Sequence, residues 1–175
     1  MALKPRQPVP ALDFDLLAGG RWRLAEQHPR TFTMLVFYRG LHCPVCRRYT
    51  SELNGMLEEF DKRGVSTVIT STDTRERAEQ AKTQWRLDKL PIGYGVPIET
   101  ARRWDLYVSS GRGATSAGVE EPALFAEPGL FLVKPDATLY WLSVSSMPFA
   151  RPHFGEIAQA IDFAVSKDYP ARGEA

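Results

Sequence analysis

The chain contains two cysteines, Cys43 and Cys46, separated by two residues. Thiol chemistry needs the thiolate, and an ordinary cysteine ionises only near a pKa of ~8.5. The flanking sequence favours a lower value. Cys43 precedes Pro44, and proline suits a first helical position, where no N–H is needed. A helix opening at Pro44 places both sulfurs at its N-terminus, where unpaired N–H groups and the macrodipole stabilise negative charge. A spacing of three on a helix brings the two Cα atoms to ~5–6 Å, within disulfide range. The pair is therefore read as a redox dithiol, Cys43 and Cys46 alternating between dithiol and disulfide. Arg39 and His42, just upstream, are candidate thiolate stabilisers. Arg47 and Arg48 read as one exposed helix face. A zinc knuckle would need a second ligand pair; there is no further cysteine, and His28, His42 and His153 show no ligand spacing. No metal and no bound cofactor are expected.

Composition agrees with a small redox domain. Lys+Arg number 22 and Asp+Glu 21 among 175 residues, a net charge of +1. This excludes the basic excess of a bulk nucleic-acid binder. Apolar runs fall short of the ~20 residues that span a bilayer, so no membrane is expected. Residues 1–175 are read as one domain, large enough to fold without disulfides. Met1 to Pro5 lacks the apolar core of a signal peptide, so the expected location is the cytoplasm, a reducing compartment.

The elements that must position the dithiol follow from periodicity. Leu12–Leu16 and Trp22–Leu24 flank Gly19-Gly20 and predict a hairpin. Thr31–Tyr38 is a continuous apolar, β-branched and aromatic run, consistent with a buried central strand. The dithiol helix runs from Pro44 to Arg63, with Val45, Tyr49, Leu53, Met56, Leu57 and Phe60 on one face and Gly64 as its stop. Val65–Thr70 is a strand. Asp73 with Glu76 reads as a capping box for a helix to Leu87, buried along Ala78, Ala81 and Trp85. Ile98–Trp104 is a short helix. Residues 107–127 read as a loop, either an insertion over the site or a connector, and Arg112 within it is a candidate to swing toward the thiols. Gly129–Lys134 and Leu139–Val144 form a late hairpin. Pro152–Val165 is the last helix, with Ile157, Ile161 and Val165 on one face, and Tyr169–Ala175 a frayed tail. The fold class is α/β, a mixed sheet with helices on both faces.

The run Phe37-Tyr38-Arg39-Gly40-Leu41-His42-Cys43-Pro44-Val45-Cys46 resembles the active-site strand and loop of the peroxiredoxin-like (alkyl hydroperoxide reductase / thiol-specific antioxidant) family of the thioredoxin-fold superfamily. The likeness extends to the hairpin with Trp22, the Val68–Asp73 strand exit, the stretch from Leu90 to Tyr107 and Gly129–Val133. It implies a thioredoxin-like fold with the peroxiredoxin-type N-terminal β-hairpin. In the family register the peroxide-attacking cysteine lies nine residues after Phe37, at Cys46. The motif's Thr falls on Cys43, its Pro on Arg39, and the Arg before the later strand on Pro128. Thioredoxin-like dithiol proteins instead use the first cysteine as nucleophile and place a cis-proline before that strand, which Pro128 matches; Pro128 is thus expected to be cis and site-shaping. The resemblance implies a peroxide or disulfide substrate and an external thiol donor such as thioredoxin or glutathione. Analogy also admits a homodimer. The competing reading is a redox-inert thioredoxin-fold binding or scaffolding domain.

Overall fold

The computed structural model describes residues 3–175. The hairpin expected around Gly19-Gly20 forms as β1 (Asp13–Leu16) and β2 (Arg21–Arg23). It pairs Phe14 with Trp22, whose rings stack at 4.8 Å. Strand β3 (Phe32–Phe37) is buried at every position, Thr33 included, in keeping with its apolar, β-branched and aromatic sequence. Helix α1 (Pro44–Lys62) begins where the Cys-Pro step places it. Gly64, at φ +74° and close against Arg30, ends the turn into β4 (Val65–Thr70). The β3–α1–β4 unit makes a parallel pair in full register from Phe32–Val65 to Phe37–Thr70.

Helix α2 (Arg75–Trp85) and the two-residue β5 (Gly93–Tyr94) follow, β5 adding to β1. Helix α3 (Ile98–Arg103) leads to β6 (Val108–Ser110), β7 (Leu124–Ala126), β8 (Gly129–Val133), β9 (Leu139–Val144) and α4 (Phe154–Ser166). The main sheet has the order β4-β3-β8-β9, with β8 and β9 antiparallel to their neighbours. The period of two in β3 divides the core. Met34, Val36 and Tyr38 join the cluster containing α1 and α4, while Leu35 and Phe37 join Trp22, Trp104 and Phe131 on the other face. Helices thus cover both faces of a mixed sheet.

Several expectations are corrected. Asp73 is not the cap of α2: Thr74 takes that place, accepting from the Arg77 N–H, and Asp73 turns inward instead. Residues 107–127 are not an irregular loop. They form an antiparallel arm, β6 paired with β7 and extended by an Ala114–Glu120 bridge. Its polar turn sequence hid two short strands that pair only with each other. On α1, Cys46, Thr50, Leu53, Asn54 and Phe60 are fully buried, so the inward stripe is rotated from the expected one; Val45, Tyr49, Met56 and Leu57 pack at its margin. On α4, Ala164 faces the core and Val165 lies 53% exposed. The tail is tied down: Ala171 is buried, its carbonyl accepts from Arg6 Nε at 2.9 Å, and Tyr140 Oη donates to the Tyr169 carbonyl. No helix among the described residues is long and apolar enough to cross a membrane.

Candidate active site

The parallel β3–α1–β4 unit brings the end of one central strand to the start of the longest helix. Both cysteines sit at that junction, unoxidised and with no exposed surface. Cys43 is the N-cap of α1, and its Sγ accepts the Cys46 N–H at 3.2 Å. Cysteine here does what Ser or Asp does at other helix starts, satisfying an otherwise unpaired backbone donor. Cys46 lies one turn inward. Its Sγ accepts the Arg39 N–H at 3.4 Å and the Arg151 Nη2 at 3.0 Å. The same guanidinium nitrogen stands 3.9 Å from Cys43 Sγ.

These contacts separate the two thiols. The Cys46 side chain hydrogen-bonds Cys43 and, with the Cys46 N–H, Arg151 and Arg39, outweighs burial, bringing the Cys43 thiol down to about 6. Burial, together with that same bond to Cys43, pushes Cys46 well up. The two shifts run in opposite directions, so the pair's negative charge is favoured on Cys43 over Cys46.

The loop that carries the thiols is held from behind. Gly40 adopts φ +137°, and a Cβ there would lie 2.7 Å from the Asp73 carboxylate. Only glycine allows that approach. The buried Asp73 accepts the Leu41 N–H at 2.7 Å and pairs with Arg77 at 3.0 Å. Burial raises its carboxyl above the ordinary value, offset in part by those partners.

Arg39 and His42 both come to the site; the Arg39 guanidinium helps bring Cys43 down although carboxylates engage it, and the His42 ring brings no charge. The Arg39 guanidinium pairs with buried Glu127 at 3.0 Å and with Glu121 at 3.6 Å, and lies over the Phe125 ring. Its backbone N–H is what reaches Cys46. His42 is fully buried against Phe125, and Arg77 Nη2 approaches its Nδ1 at 3.4 Å. Burial, with Arg39 nearby, pushes its pKa down to about 4, so the ring is neutral near pH 7. Thr115 of the β6–β7 arm donates to the His42 carbonyl at 2.6 Å, closing the arm over the loop.

The Glu127–Pro128 peptide bond is trans, correcting the expected cis-proline; every peptide bond among the described residues is trans. Pro128 opens β8, and its carbonyl accepts the Ser145 N–H at 2.9 Å. Glu127 N–H is engaged by the Tyr107 carbonyl, so the chain enters β8 already hydrogen-bonded. Pro128 still borders the site: with Tyr49, Ser143, Ser145 and Arg151 it lines a cavity of about 10 Å³, room for about one water.

Arg112 stays out on the arm, exposed, its N–H on Glu121. The guanidinium at the thiols is that of Arg151, which the sequence reading did not single out. Arg151 lies 105 residues beyond Cys46 in the turn between β9 and α4, in the sequence Phe149-Ala150-Arg151-Pro152. The one local signal was an arginine in a short turn leading into a helix. Its Nε and Nη1 are buried without a hydrogen-bond partner among the described residues, and its guanidinium lies 5.0 Å from the centre of the Tyr49 ring. No group of three or more His, Cys, Asp or Glu that would hold a metal occurs among the described residues.

A mixed sheet flanked by helices, with a Cys-x-x-Cys pair at the helix following the central strand, defines a thioredoxin-fold thiol oxidoreductase. Comparison with known proteins narrows the class. Residues 5–142 match the AhpC/TSA family, and the chain belongs to that family. No curated protein matches its sequence. Among solved structures, it is similar to peroxidoxin BcpB from Mycobacterium tuberculosis, at 20% identity and TM-score 0.71, over 93% of this chain and 98% of that one. A peroxiredoxin 6 variant of Arenicola marina superposes at TM-score 0.75 with 19% identity, over 96% and 76% of the two chains. Mycobacterium bovis AhpC gives 0.74 with 17% identity, over 96% and 95%. The chain is a thiol-dependent oxidoreductase of peroxiredoxin-like type, carrying a Cys-x-x-Cys dithiol.

Proposed function

We propose that the protein is a hydroperoxide reductase in which Cys43 attacks and Cys46 resolves. The observation that carries this reading is the Cys43 sulfur at the α1 N-cap, brought down to about 6 by the Cys46 donors and the nearby guanidinium. Family register points to Cys46 as the attacking residue; the electrostatics favour Cys43. The Cys43 thiolate attacks the terminal oxygen of the hydroperoxide, the O–O bond breaks, and the alkoxide leaves and takes a proton from water. Cys43 becomes a sulfenic acid. The Cys46 thiol then displaces its hydroxyl, the S–S bond forms and water departs. Arg151, with two partnerless buried nitrogens, supplies hydrogen-bond donors to the peroxide oxygens and takes the place of the arginine absent at Pro128. His42 and Pro128 position the loop and wall the site; Arg39, engaged by Glu127 and Glu121, adds a favourable charge at Cys43 second to that of Arg151.

Protein disulfides are the less favoured substrate, because both sulfurs lie without exposed surface beneath Arg151 and the β6–β7 arm. An external thiol donor completes the cycle. A single domain working in a reducing compartment such as the cytoplasm suits a dithiol of this kind. Chemical trapping of sulfenic acid after a peroxide pulse tests the assignment. Cys46→Ser should accumulate a sulfenic acid on Cys43, and Cys43→Ser should accumulate none. Accumulation on Cys46 in the Cys43→Ser variant, with none in Cys46→Ser, would reverse the roles. A wild-type protein whose mass does not fall by two hydrogens after peroxide would remove the peroxidase reading altogether.

A further inference from the structure

A cavity of about 210 Å³ lies outside the dithiol, between the first turns of α1 and the turn before α4. Its polar lining is Arg48, Glu52, Arg151 and His153, with Tyr49 also in the wall. Arg48 forms no ion pair among the described residues. His153 occupies the N-cap position of the thirteen-residue α4 without capping it through its side chain, so its ring is free for the cavity. Arg151 is the shared wall: it faces this cavity and also touches Cys46 Sγ at 3.0 Å and stands 3.9 Å from Cys43 Sγ.

We propose that this cavity, through Arg48, Arg151 and His153, binds the carboxylates of a small acidic thiol that reduces the Cys43–Cys46 disulfide. The inference rests on the peroxidase reading above and names the class of its reductant. Two cationic side chains and an imidazole against one carboxylate favour an anion. Glu52 among them suits the ammonium of an amino-acid-derived thiol. A cavity of about 210 Å³ takes the acidic end of a small molecule, not the surface of a protein reductant.

The redox state governs access. In the dithiol form the Arg151 guanidinium is held by the thiolate charge of the pair. Oxidation removes that charge, and Arg151 loses its anionic partner in the one state that a reductant must recognise. A ligand carboxylate then replaces the thiolate as its counter-ion, which draws the guanidinium off the sulfurs and uncovers them. The reductant thiolate attacks one sulfur; the Cys43–Cys46 bond breaks, a mixed disulfide forms, and the other cysteine leaves as a thiolate. A second reductant thiolate attacks the mixed disulfide and releases the small-molecule disulfide. Two donor thiols are oxidised by two electrons in all, and the pair is restored with one proton on Cys46 and its charge on Cys43. Arg151 then returns to the thiolate, and affinity for the acidic ligand falls.

The test begins with the full-length protein oxidised by one equivalent of peroxide. Reduction is followed with glutathione, mercaptosuccinate, neutral 2-mercaptoethanol and cationic cysteamine, each rate corrected for its thiolate concentration, and with thioredoxin as a protein donor. The expected result is glutathione and mercaptosuccinate ahead of cysteamine, with the acidic-to-cationic rate ratio falling about three- to tenfold in Arg48→Glu. That ratio is read within each variant, so a loss of folding or of general reactivity cancels. A ratio near one in the wild type, a ratio unchanged in Arg48→Glu, or reduction by thioredoxin alone would overturn the proposal. If no disulfide forms with peroxide at all, the peroxidase reading fails first, and that outcome is distinct from a disulfide that forms but is reduced without regard to charge.

Discussion

Replacing Cys46 by alanine and by serine separates the contributions that hold the Cys43 thiolate. A thiol brought from 9.0 to about 6 prefers its charged form by ~4 kcal/mol. At about pH 7 this raises the thiolate fraction from about 1% to about 90%. The Cys46 side-chain donor is the largest favourable contribution, ahead of the Cys46 N–H, Arg151 and Arg39. A hydrogen bond to an ionised acceptor contributes ~1.5–3 kcal/mol, or about one to two pH units. Cys46→Ala therefore moves the Cys43 midpoint to about 7–8, whereas Cys46→Ser keeps an O–H donor in place and stays within about one pH unit of wild type. Each variant has one cysteine, so titration of the ultraviolet thiolate absorbance reads Cys43 directly and needs no reagent to reach a buried sulfur. A midpoint near 9 in Cys46→Ser, or identical midpoints in the two variants, would show that the Cys46 donor does not hold the Cys43 thiolate. A Cys43→Ser protein whose remaining Cys46 titrates near 6 would refute the assignment of the low value to Cys43.

The same ionisation reaches into stability. The Cys43 value in the folded state lies below its unfolded value, so its contribution is complete above about 9 and is lost as pH falls through about 6; urea midpoints of the reduced protein should climb over that window and lose most of the rise in Cys43→Ser. His42 works lower on the scale: its folded value of about 4 lies below the ordinary 6.5, so its neutral ring contributes fully above 6.5 and loses ~3 kcal/mol toward pH 4, a loss that His42→Phe should flatten. Gly40→Ala forces a Cβ onto Asp73 in a left-handed conformation and should cost ~2 kcal/mol or more, with the Cys43 midpoint rising as the loop shifts; an unchanged thermal midpoint would count against the close packing. Glu127→Leu strands the buried Arg39 guanidinium with Glu121 alone and should destabilise by ~3–5 kcal/mol in urea unfolding; a loss below about 1 kcal/mol would show that the pair is not held as described.

The fold was legible wherever one residue pattern served one local purpose. The apolar, β-branched and aromatic run of β3 matched a strand buried on both faces, and the Cys-Pro step at the head of an amphipathic stretch marked the start of α1 within a residue. Those two facts alone place a dithiol at a helix N-terminus, and with it the thiol chemistry. The β6–β7 arm was not legible, because its strands are three residues each and are defined by pairing with each other, not by alternation against a core. Asp73 read as a cap because capping is a local rule; its inward turn toward Leu41 answers a buried N–H thirty-two positions away.

The charges around the thiols show the same division. From sequence, Arg39 and His42 were the cations beside Cys43, since proximity along the chain was the only measure available. The folded chain gives Arg39 to Glu127 and Glu121, and strips His42 of its proton by burial, because both lie on the inner side of the loop. The guanidinium that touches Cys46 Sγ is that of Arg151, from the turn after β9 on the same face as α1, where sequence distance says nothing about spatial distance. That two cysteines share a helix start and can form one disulfide is local helix geometry, and the sequence carries it. Which sulfur is the more acidic depends on the fold, because the donors come from the β3–α1 junction and from Arg151, brought together over a hundred residues of chain.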